Sequence, residues 1–80
     1  MSEDLKFKGR LNDKELEEKQ LALKIKGLVT SLRDLLDPFE ELEDLKAEMI
    51  LDQALRLNEC HAEYIKVKAR IKSINKALGK

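Results

Sequence analysis

Apolar residues recur at helical spacing along most of the chain. Leu21, Ile25, Leu28, Leu32 and Leu35 follow one another at steps of four and three, and Ala22, Val29 and Leu36 repeat every seven residues beside them. A seam with one apolar flank is the pattern of a helix packed against a neighbour. Asn12 or Asp13 can cap this helix, and Glu15, Glu17 and Glu18 put negative charge on its first turns. The helix is therefore expected over about residues 13–36.

Asp37-Pro38-Phe39-Glu40 is the sharpest local signal. Proline disfavours helical geometry at the preceding residue and lacks an amide donor, so the first helix should stop there. The same residues can start a second helix, with Asp37 as cap, Pro38 at the first helical position and Glu40 reaching back to the cap amide. The turn is then confined to residue 37, and the second helix covers about 38–78. Its seam reads Leu42, Met49, Gln53, Leu57, Cys60, Tyr64, Val67, Ile71, Ile74 and Leu78, with Leu45, Ile50, Ala54 and His61 beside it. A four-residue stutter near Gln53 would locally unwind a coiled coil, and Gln53 itself could set register. Gly79 is a natural helix stop. Phe39 and Tyr64 read as core anchors.

A very short connection makes antiparallel neighbours, so the predicted fold is an all-α antiparallel hairpin with a long second helix. One long kinked helix is the rival. Residues 1–12 stand apart. Leu5-Lys6-Phe7-Lys8 alternates apolar and charged, Gly9 interrupts, and an extended or flexible arm is expected.

Length then bears on assembly. About 23 residues make a first helix of roughly 35 Å, and about 41 make a second of roughly 60 Å. The first helix would reach only to about residue 61 of the second. Tyr64, Val67, Ile71, Ile74 and Leu78 would lack a cover, an unusual surface for a monomer. A second copy is the first choice to cover them, giving a coiled-coil-like bundle with an interface of Leu57, Cys60, Tyr64, Val67, Ile71, Ile74 and Leu78. Another protein, or the N-terminal arm through Leu5, Phe7 and Leu11, could serve instead. Leu16 and Leu23 lie opposite the first seam, and Gly27 shares that face, so these three form a candidate second interface.

Composition narrows the function. The chain has 80 residues, 16 basic and 16 acidic, with three aromatic side chains, one Cys, one His and no Trp. One domain is the most this length allows, and a single Cys suits a reducing, cytoplasmic setting. No apolar run approaches the roughly 18 residues of a membrane span, and the acidic N-terminus lacks the apolar region of a signal peptide. Charge is segregated. Residues 41–60 carry two basic and six acidic residues, and 61–80 carry six basic and one acidic. An antiparallel pair of second helices would match these ends, whereas a parallel pair would stack like on like.

Lys68, Lys72 and Lys76 form one row at steps of four, with Lys66 and Arg70 beside it. Such cations can meet phosphates, yet no aromatic interleaving and no nucleic-acid-binding motif accompany them. An amphipathic helix on a membrane surface would want Trp or Phe on its apolar stripe, which this one lacks. Cys60 and His61 diverge by about 100° on a helix, so they do not converge on a metal. A two-helix hairpin offers Cys60 no cleft or oriented base. The acidic run Glu40–Asp52 has no protected pair for acid–base work, and no phosphate loop is present. The reading is a non-enzymatic protein–protein interaction module, homodimeric or larger, with no cofactor, no metal and no membrane. It could also serve a larger protein partner as an adaptor or assembly factor. The alternative is a nucleic-acid accessory protein.

Overall fold

The computed structural model describes the backbone of residues 3–79 and the side chains of residues 8–79. Two helices, α1 (Glu3–Leu35) and α2 (Ala47–Ala77), pack against each other as an antiparallel hairpin. The molecule is a rod, 64 × 17 × 14 Å. The fold class is the expected one. Of three boundaries, two differ from expectation and change the assembly argument.

The first concerns residues 3–12. They are the first turns of α1, not an extended arm. Four residues of alternation are too short to specify a strand without a second strand to pair with. The helix passes through Gly9 at a cost of about 1 kcal/mol relative to Ala. Burial of Leu11 against the far end of α2 offsets this, since covering a leucine is worth about 1.5–3 kcal/mol. Leu5 and Phe7, offered above as parts of a covering arm, have side chains outside the described residues.

The second boundary is the connection. The helix does stop at Asp37-Pro38, but helix two does not begin there. The chain runs from Leu36 to Lys46 between the helices, with a single 3-10 turn at Leu42–Asp44. Asp37 does act as a cap, although of a turn: its Oδ1 accepts a hydrogen bond from the Phe39 amide at 2.9 Å, and its carbonyl accepts one from the Glu40 amide at 3.3 Å. Two causes keep 38–46 out of the helix. Helix axes in contact lie about 8–10 Å apart, a gap that one residue cannot turn across. A helix here would also align Glu40, Asp44 and Glu48 at four-residue steps, and like charges at that spacing are destabilising.

The third is the C-terminal end, where expectation and structure agree closely. Gly79 has a positive φ of 76°. The Leu78 amide donates to the Ile74 carbonyl at 3.0 Å and the Gly79 amide to the Lys76 carbonyl at 3.1 Å. This closes the helix as a left-handed glycine does.

Helix lengths now match. The 33 residues of α1 and the 31 of α2 are about 50 Å and 46 Å long. The Lys68 ammonium donates to Glu18 Oε1 at 3.1 Å across the hairpin. Counting outward from that pair sets Leu11 level with Ile74 and Asn75. The core is thin. Among the described residues Leu11, Val67 and Ile74 are buried, while Leu21, Ile25, Leu28, Leu32, Leu57, Cys60, Tyr64 and Ile71 are half-buried along the seam. Among the described residues no helix is long and apolar enough to cross a membrane.

Candidate interaction surface

The predicted self-association stripe lies inside the hairpin. Val67 and Ile74 are 4% and 5% exposed, and Leu57, Cys60, Tyr64, Ile71 and Leu78 are half-buried against α1. The first turns of α1 cover the segment that was expected to overhang. That stripe is therefore a correction: it is the intramolecular seam, faced by the N-terminal half of α1, where Leu11 is buried. Within the chain, the basic end of α2 makes one ion pair with α1, between Lys68 and Glu18.

Three further core assignments fail. Phe39 is 92% exposed and Leu42 88% exposed, and Met49 is also exposed. Phe39 and Leu42 depended on helix two starting at Pro38, whereas Met49 lies in the first turn of α2. With α2 starting at Ala47, the seam begins at Ile50 and Gln53, both half-buried. Tyr64 keeps its place in the seam.

The candidate second interface shows no close approach within the chain. Leu16 and Leu23 are exposed, and a Cβ added at Gly27 would meet nothing within 4 Å.

The two flanks of the rod differ in chemistry. On one flank, Glu17, Gln20, Leu21, Leu23 and Lys24 of α1 border a groove with Glu63 of α2. Further along, Arg10, Asp13 and Lys14 face Arg70, and Lys24 and Leu28 face Arg56, Glu59 and Cys60. Charged side chains run the length of this flank, with Leu21, Leu23 and Leu28 between them. The opposite groove is lined by Ile25, Val29, Ala54, Leu57, Asn58 and His61. Helical spacing extends its apolar character along both helices. On α1, Ala22, Val29 and Leu36 lie at seven-residue steps. On α2, Leu51 and Ile65 lie seven residues either side of Asn58, with Leu55 and Ala62 just outside them. Leu36, Leu51, Leu55 and Ile65 are each more than half exposed. Leu51, Leu55 and Ile65 were missed in the sequence reading. Their signal was present: positions 51, 55, 58, 62, 65 and 69 form a second four–three repeat on the same helix.

The basic residues divide between the flanks. Lys68, Lys72 and Lys76 continue the row His61–Ile65 on the apolar flank, while Arg70 lines the charged one and Lys66 lies toward it by helical count. The five therefore do not make one phosphate-facing surface. Lys68 is committed to Glu18. That hydrogen bond, then the Glu18 charge, then Tyr64, hold the Lys68 ammonium above its ordinary pKa of 10.5.

Cys60 and His61 diverge as their spacing requires: Cys60 borders the charged groove and His61 the apolar one. Among the described residues no group of three or more His, Cys, Asp or Glu side chains is arranged to hold a metal ion. No protein-family model, curated protein or solved structure matches the chain.

Proposed function

We propose that the protein is a non-enzymatic interaction module that works by packing its apolar flank against a second helical surface, and that it self-associates. The observation that carries this reading is the unpartnered flank around Ile25, Val29, Ala54 and Leu57, extended by the exposed Leu36, Leu51, Leu55 and Ile65. Surface area supports it. The chain exposes 6620 Å², whereas a compact monomer of its mass exposes about 4,900 Å². The excess of about 1,700 Å² is ample for the roughly 800 Å² that each partner contributes to a standard interface. Scattered exposed leucines need no explanation, but apolar side chains gathered along one flank of a two-helix rod have no third layer to cover them. A cytoplasmic setting belongs to the same proposal and is supported by the single, unpaired Cys60.

Size exclusion with light scattering over a concentration series tests the reading. A mass near twice 9.2 kDa is the expected result. A monomer at every concentration would remove self-association. The nucleic-acid alternative has weaker support, because Lys68 is paired and the remaining cations lie on two flanks. A mobility shift at low salt that weakens steeply as salt rises would reverse that preference, and no shift at low salt would remove the alternative.

A further inference from the structure

The hairpin carries a charge gradient along its length. Its tip, residues 37–52, holds seven acidic side chains and one basic, a net charge of −6. The open end is dominated by the five cations of residues 66–76, with no acid among them. Residues 8–14 of α1, at the same end, carry three basic side chains and one acidic, so the open end is positive. The apolar flank lies between the two ends. At its open end the exposed Lys72 and Lys76 extend the row that begins at His61 and Ile65. At its tip end Leu36 and the half-buried Ile50 lead into the acidic connection.

Two copies joined through this flank can run parallel or antiparallel. Parallel copies set one tip against the other, −6 beside −6, at a separation where salt screens incompletely. Antiparallel copies set each acidic tip beside the other copy's basic open end. Resting on the self-association proposed above, we infer that the occupant of the apolar flank is a second copy of this chain in antiparallel orientation, tip to open end. Phe39 and Leu42, exposed on the connection and held by the Asp37 turn and the 3-10 turn, then lie beside the lysine stems of the neighbour. Long lysine side chains cover apolar surface with their methylene chains while keeping the ammonium in water. The arrangement gives a four-helix bundle in which both exposed ends are neutralised, a distribution that sets orientation more than affinity.

Electron–electron dipolar distances between tips test the orientation. A nitroxide is attached at Glu41→Cys in a Cys60→Ser background. Glu41 is exposed in the connection, and helicity by circular dichroism checks that the labelled protein folds. The expected result is a separation near the length of α2, about 45 Å. A separation within about 20 Å, two helix diameters, would overturn the antiparallel arrangement while leaving self-association standing. A monomeric mass with no intermolecular dipolar signal would overturn both. The double variant Glu43→Lys/Asp44→Lys gives an independent reading. The antiparallel dimer should weaken by about fivefold in Kd at low salt, with the effect fading as salt rises. A tighter dimer would mean that tip meets tip.

Discussion

Gly27 lies exposed in the middle of α1, and a methyl group there would meet no atom within 4 Å. Glycine inside a helix costs about 1 kcal/mol relative to alanine, chiefly in backbone entropy. Gly27→Ala should therefore raise stability by about 1 kcal/mol in urea unfolding and leave the solution mass unchanged. A loss of mass would instead show that a helix packs at Leu16, Leu23 and Gly27. Lys68 is the other residue with a definite forecast. Its ammonium is stabilised by Glu18 and its pKa is raised on folding. A raised pKa contributes stability that is complete below the unfolded value, about 10.4, and is lost as pH rises through the folded one. The stability difference between the wild type and Lys68→Met should stay constant from neutral pH to about 10 and close above it. A difference that grows with pH would contradict the pairing.

At the scale of the element, the N-terminal turns of α1 decide the most. Leu11 is almost fully covered, and it is the residue that makes helix out of a segment that reads locally as irregular. Leu11→Ala should cost about 2 kcal/mol or more, enough to unfold much of a two-helix hairpin, and far-UV circular dichroism would record the lost helicity. A neutral outcome would mean that these turns do not pack on α2. The connection has the opposite character. Phe39 and Leu42 are aromatic and aliphatic, yet the chain leaves both in solvent. The acidic run around them resists helix formation, and the seam of α2 has no place for them once that helix starts at Ala47.

For the whole molecule, the consequence of equal helix lengths is that the seam saturates itself. A rod with one internal contact layer then has two flanks to dispose of, one charged and one apolar. Ile65→Glu places a charge on the apolar flank without entering the seam. It should halve the solution mass at micromolar concentration while leaving monomer helicity intact. Ile71→Asp is the contrasting change, because Ile71 belongs to the seam, so helicity should fall with or without association. If Ile65→Glu leaves the mass unaltered, the flank is not where copies meet.

Local order was legible without any structure: two helices, the break at Asp37-Pro38, the stop at Gly79, and the apolar stripes themselves, Leu21 to Leu35 on the first helix and Leu57 to Leu78 on the second. Each rests on periodicity, capping or backbone restriction, which depend on residues within a turn or two. The extent of α1 was not legible, because helix across Gly9 depends on Leu11 being buried level with Ile74, more than 60 residues away in sequence. The start of α2 was equally hidden, since a capping sequence at Asp37 and Pro38 competes with the distance the chain must span to return alongside itself. From those two boundaries follows the change of candidate site. The clean four–three repeat from Tyr64 to Leu78 became the core, and the weaker repeat through Leu51, Leu55 and Ile65 was left outside. Both stripes are written in the sequence of one helix. Only the length and register of the helix packed against it determine which one is buried.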